Sequence, residues 1–443
     1  MIAGRATGRS VRAGYTNEVG SDAPAQGSDG RTRTLAYALL GAYVSKVGSF
    51  VMTLVGLPLA HRSLPADSFA MLAGFWVIVA WTGFFNPLIG PATGLAIATS
   101  LTRPDGAAEA HSTARGALGA GLVVSLFLGG VAGLVGPTFL GLTSVVSIAV
   151  AVGISFLTSY LGIGEGIRTG FHRAHKNGVW AGVGTLSGAA FIAVVFALDG
   201  SVLLFVAGIF LLPLAIRSAA FAVEFADLAE KQAAVGIRWY QLAQRNAYHI
   251  GTVQIGSLCG FPLAMLIVIR AHPDQVGTLF VTQAVGSIVL GLLAGVFEPF
   301  GAASADALGR GDVAWLEKAS RGIRFSCVAA SSVSILGAIT IGPIVTSALY
   351  GAAAPSWLSL ALIGMAAGPA AAFGLYYQLL LGMGSIRGAA KAVVPGYILG
   401  AIISAAGASV GNNSVVVAGA MLVPSVVGLA QLAPRFRREL VRR

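Results

Sequence analysis

The chain has 443 residues, of which 56% are hydrophobic and only 10% charged, and its mean hydropathy is +0.81. Ordinary soluble domains carry about 25% charged residues, so this composition excludes a soluble globular domain and points to an all-α integral membrane protein. The formal net charge of +11 does not indicate nucleic acid, because the basic residues punctuate apolar runs and do not gather on one water-facing domain.

Residues 1–34 are polar, small and basic, and the first long apolar run begins at Leu35. A cleaved signal peptide would place its apolar core earlier, so the expectation is a flexible tail leading into a retained helix. A helix needs about 20 mostly apolar residues to cross the hydrocarbon core. That ruler predicts twelve spans: residues 35 to 59, 69 to 100, 114 to 136, 144 to 164, 179 to 198, 201 to 222, 246 to 269, 276 to 298, 323 to 349, 357 to 383, 392 to 409 and 415 to 433. The two cysteines, Cys259 and Cys327, both fall within apolar runs. They leave no room for a disulfide framework or a thiolate metal site.

Charge counting tests this division independently, because cytoplasmic loops are enriched in Lys and Arg. The tails and the even-numbered loops hold 25 of the 28 basic residues, whereas the odd-numbered loops hold only Arg62 and Arg270. Both termini are therefore expected in the cytoplasm. Lys46 is the one basic residue assigned to neither loop nor tail.

The connection Val223 to Arg245 divides the chain into halves. The expected organisation is a tail (1–34), a six-helix bundle (35–222), a cytoplasmic linker (223–245), a second six-helix bundle (246–433) and a basic cytoplasmic tail (434–443). The halves resemble each other: Arg62 and Pro65 after span 1 match Arg270 and Pro273 after span 7, and Asn86-Pro87 matches Glu298-Pro299. Six is an even number, so the two bundles run in the same direction, related by a pseudo-two-fold along the membrane normal. Parallel repeats of this kind occur in transporters whose substrate site lies between the bundles.

Leu57-Pro58-Leu59 through Arg62-Ser63-Leu64-Pro65-Ala66-Asp67-Ser68-Phe69 resembles the end of helix one and the first loop of bacterial polysaccharide exporters. Glu298-Pro299, Ser304, Leu308, Gly311-Asp312 and Leu316 are similar to that family's loop after helix eight, and Leu349-Tyr350-Gly351 to its ending of helix nine. The family is that of the O-antigen and capsular polysaccharide flippases, within the multidrug/oligosaccharidyl-lipid/polysaccharide exporter superfamily. The resemblance implies a non-enzymatic transporter of the bacterial inner membrane that moves a polyprenyl-pyrophosphate-linked oligosaccharide from the inner to the outer leaflet. It also implies drive by an ion gradient, no cofactor and no metal, with membrane lipids and other polysaccharide-assembly membrane proteins as partners.

Lys46 lies about 16 Å into span 1. A charge at that depth costs about 2.5 to 3.5 kcal/mol on insertion scales, so it is expected to face a cavity or the bundle interior. Ala42, Ser45, Ser49 and Thr53 share or adjoin its helical face. Two readings stand side by side: a cation that attracts the carrier pyrophosphate, or one half of a structural ion pair. Arg62 and Arg270 at the outer mouth are candidates for engaging the pyrophosphate at release or gating the outer face, or ordinary interfacial anchors, and Arg217 near the inner end of span 6 is a candidate for recruiting the anionic head group. Glu298, Glu165 and His249 are candidates for the coupling ion, or a boundary acid, a boundary acid and a hydrogen-bonded histidine respectively. A multidrug exporter of the same superfamily is the alternative, although it would usually want carboxylates at mid-span, and none is predicted here. A membrane glycan polymerase or ligase would need a large outer loop, and the outer loops are short.

Overall fold

The computed structural model describes residues 28–83, 86–103, 106–140, 142, 144–226, 261–294, 298–410 and 413–442. Helix α1 runs through Ser28–Val51, a π-helical turn Met52–Gly56, and Leu57–Ser63. It is followed by α2 (Ala66–Gly83), α3 (Asn86–Ser100), α4 (Gly106–Leu140), α5 (Val145–Gly170) and α6 (Ala174–Ala197). Helix α7 comprises Val202–Val206, a second π turn Ala207–Leu211, and Leu212–Glu224. The second half contributes α8 (Phe261–Ala271), α9 (Val276–Ala294), α10 (Glu298–Gly309), α11 (Val313–Tyr350), α12 (Trp357–Gly382), α13 (Ile386–Val410) and α14 (Asn413–Val441). The architecture is all-helical, with twelve membrane spans in two six-helix bundles.

Among the described residues nine helices are long and apolar enough to cross a membrane. The other three spans are the second, seventh and eighth. Span 2 corresponds to α2 and α3, with Pro87 in α3. Span 8 corresponds to α9, and the described helix α10 runs on to Gly309, eleven residues past the expected end of the span at residue 298. The apolarity ruler ends too early because α10 (EPFGAASADALG) is built of small residues and buries an acid, Asp306. Other helices also outrun their apolar cores: α1 starts seven residues before Leu35, and α14 extends well into the basic tail. Caps end helices, not the edge of hydrocarbon. Ser144, Asp312 and Ser356 cap α5, α11 and α12 by accepting from the backbone N–H three residues on. The linker and the first half of span 7 (227–260) lie outside the described residues.

The two π turns share one sequence logic. Each precedes a Leu-Pro-Leu-Ala run, Leu57 to Ala60 and Leu212 to Ala215. Leu57 N–H reaches back five residues to Met52 O, and Leu212 N–H to Ala207 O. In that register the next donor would be Pro58 or Pro213, which has no N–H. The carbonyls of Thr53 and Gly208 are thus left for partners outside their helices.

Helix α6 is wedged between α1 and α7 on two glycine faces. Cβ atoms built on Gly178 and Gly182 would lie 1.9 Å from Gly41 O and 2.7 Å from Val44 O of α1. Those on Gly184 and Gly188 would lie 2.8 Å from Pro213 O and 2.3 Å from Gly208 O of α7. Without a hydrophobic drive between helices in lipid, such close backbone approach supplies the packing energy. Gly178→Ala is expected to cost about 1 to 3 kcal/mol, because backbone on both sides cannot yield. Gly119→Ala, with nothing within 4 Å of the new Cβ, should be nearly neutral. Thermal unfolding of the two variants in one detergent checks the contrast.

Candidate functional site between the bundles

Helix α1 presents three stripes. Leu40, Tyr43, Val47 and Phe50 are exposed and form its lipid-facing side. Gly41, Val44 and Gly48 pack on α6. The third stripe carries Leu39, Ala42, Lys46, Ser49 and Thr53, and its two ends touch the other bundle. Leu39 packs against the second bundle's core of Phe300, Ala303 and Trp315. Thr53 O, the carbonyl stranded by Pro58, accepts a hydrogen bond from the buried Tyr350 hydroxyl at the end of α11. Lys46 is seven residues from each, two helical turns or about 10 Å. It therefore sits on the face toward the second bundle, midway between the two contacts, and is half-buried. The Ser49 hydroxyl donates back to Ser45 O at 3.2 Å.

Tyr350 belongs to a larger seal at this end of the bundles. Arg62 Nη2 donates to Ala348 O at 3.2 Å, joining the end of α1 to the end of α11. The His61 ring lies 6.3 Å from that of Tyr350 and 4.9 Å from Phe69, whose ring meets Phe280 of α9 at 5.6 Å. One apolar cluster runs through Leu57, Phe69, Leu72 and Phe75 of the first half and Met265, Leu279 and Phe280 of the second. Arg62 thus joins the two halves at this end.

The opposite side closes differently. Helix α10 packs on α3 and α1. Asp306, 3% exposed, accepts from Arg310 Nε at 2.9 Å. Across from this pair is His172, the residue that ends α5. Arg173 N–H bonds to Arg168 O and His172 N–H to Thr169 O, the paired closure in which the left-handed residue is usually glycine. His172 has φ 59°, which costs a residue with a Cβ about 1 to 2 kcal/mol. Its imidazole is held below its ordinary pKa chiefly by burial, with the Arg310 charge acting in the same direction and the Asp306 charge against it.

Of the other sequence candidates, Arg217 and Glu165 form an ion pair with each other inside the first bundle. Each then has a local partner, a pairing that neither expectation included. Arg270 lies in α8 and Glu298 begins α10. Their side chains, and all of His249, lie outside the described residues. Sequence reasoning missed Tyr350 as a contact, the burial of Asp306, and the buried pair Arg168–Glu224, which it had placed in loops. The one available signal was the Leu-Pro-Leu run, which announces a stranded carbonyl. Among the described residues no group of three His, Cys, Asp or Glu side chains could hold a metal ion.

No protein-family model matches the chain, and no curated protein matches it. Solved structures do. A MATE transporter in the bent conformation aligns with TM-score 0.67 and 14% identity over 92% of this chain and 95% of the other. An outward-facing multidrug resistance MATE family transporter of the MOP superfamily gives 0.63 and 15% over 92% and 96%. A MOP superfamily transporter from Pyrococcus furiosus, for which a reversed polarity of the binding pocket suggests a different function, gives 0.61 and 14% over 93% and 96%. The chain has the fold of MATE transporters of the MOP superfamily.

Two predictions test the closures. Tyr350→Phe leaves Thr53 O buried without its donor, which should cost this contact between the halves about 1 to 3 kcal/mol. Spin labels at the exposed positions 65 and 352 should then report longer, broader distances than in the parent. The stabilisation from neutral His172 is complete above about pH 6.5 and lost as pH falls through its lowered value. Hydrogen-exchange protection factors at residues 171–173, taken against the intrinsic rate at each pH, should fall on acidification, and His172→Gln should abolish that pH dependence.

Proposed function

We propose that the chain is an alternating-access exporter whose cargo is an anionic amphiphile, of the class of polyprenyl-pyrophosphate-linked oligosaccharides, passed from the inner to the outer leaflet of a bacterial cytoplasmic membrane. One observation carries the reading. Lys46 is the only basic residue predicted at mid-depth, and it occupies the stripe of α1 whose ends contact the second bundle. None of the 17 acids is predicted at mid-span by the division of the sequence into helices, which favours an anionic over a cationic cargo. An ammonium is a mobile point charge suited to phosphate oxygens. The outer seal and the opposite closure, on different elements, supply the two gates that alternation needs.

A second reading is export of multidrug type, and the fold neighbours favour it, since one of them is described as a multidrug resistance transporter. Charge separates the two. In proteoliposomes carrying an ion gradient, the purified chain should transfer a labelled polyprenyl-pyrophosphate oligosaccharide between leaflets. Lys46→Ala should lower kcat/KM roughly 10- to 100-fold, the value of one charge-assisted hydrogen bond. Expulsion of a cationic dye without any lipid transfer would establish the second reading.

A further inference from the structure

Where α5 and α7 end and α6 begins, a charge cluster stands apart from the stripe between the bundles. Glu224, the last residue of α7, accepts from Arg168 Nε at 2.9 Å through one oxygen. Its other oxygen accepts from Arg173 Nη1 at 3.1 Å and Lys176 Nζ at 2.8 Å. Three positive charges share one carboxylate, and among the described residues two are unmatched. The adjoining Arg217–Glu165 pair is already balanced. Asn177 connects the two groups, donating to Glu165 O at 3.0 Å and accepting from Arg168 Nη1 at 3.5 Å.

This excess is not a fringe of solvated side chains. Arg168 is 1% exposed and lies 5.2 Å over the Phe221 ring. Its Nη2 is shielded from solvent and has no hydrogen-bond partner, an idle donor on a buried cation, which is costly to maintain. Arg173 and Lys176 have side chains 33% and 38% exposed, so the cluster opens to water on their side and closes on Arg168.

We infer that this cluster is a binding site for a phosphate group, independent of the cargo proposed above. A dianionic phosphate cancels the two unmatched charges. Its several oxygens can accept from the planar guanidinium of Arg168 as well as from Arg173 and Lys176, which a carboxylate with two oxygens already spent cannot do. The position, at helix ends on the side rich in basic connections, is level with lipid head groups. The phosphate therefore comes either from an anionic phospholipid or from solution.

The test uses the full chain and the double variant R173Q/K176Q, which leaves the buried Arg168–Glu224 pair intact. The single variants R173Q and K176Q serve if the double variant does not fold. In detergent, inorganic pyrophosphate at constant ionic strength should raise the Tm saturably, and the substitutions should weaken the response about tenfold or more. In nanodiscs, replacing part of the phosphatidylcholine by phosphatidic acid, whose phosphate monoester can carry two negative charges, should raise the Tm of the parent more than that of the variant if a lipid head group is the source. A pyrophosphate response without the lipid response identifies a soluble phosphate. No response of the parent to either, or equal responses in parent and variants, would overturn the site and leave a purely structural network.

Discussion

Hydrocarbon offers nothing to a stranded carbonyl, and this constraint explains where the two halves hold each other. Pro58 takes away the donor that the π turn of α1 would otherwise use, so Thr53 O must be satisfied from outside its own helix. The partner is Tyr350, 297 residues away and in the other half. A local defect in one span is thereby converted into a contact between bundles, and any movement that separates the halves on that side exposes the defect again. Gly208 O repeats the defect in α7, where it lies against Gly188 of α6 within the first bundle.

Charge follows a similar rule. Acids in or near the membrane are tied to cations at helix ends, as in Glu165 with Arg217, Glu224 with Arg168, and Asp306 with Arg310. Each pair fastens helices or turns whose backbones have already left the apolar core. Lys46 differs in depth, being set between an apolar contact at Leu39 and a hydrogen bond at Thr53. The proposal of a negatively charged cargo rests on this placement, on the seam between bundles.

Much of the fold was legible before any coordinates, for identifiable reasons. Spans 3 to 6 and 9 to 12 are continuous apolar helices, and the segregation of Arg and Lys between loops fixed their number. Span 8 was harder because α10 replaces large apolar residues with Gly, Ala and Ser while burying Asp306. The depth and helical face of Lys46 could be read from periodicity alone. Tyr350 could not, since its role depends on a carbonyl in a distant helix. Arg168 and Glu224 looked like loop residues because charge was taken as the mark of a helix's end, whereas helical hydrogen bonding carries both into a buried network.

The central claim, that Lys46 meets an anionic cargo between the bundles, is tested most directly by an experimental structure of the chain in lipid with a polyprenyl-pyrophosphate oligosaccharide bound. The account predicts pyrophosphate oxygens about 3 Å from Lys46 Nζ, with the lipid chain leaving between the halves. Pyrophosphate bound elsewhere, with Lys46 held on a carboxylate both with and without cargo, would contradict it.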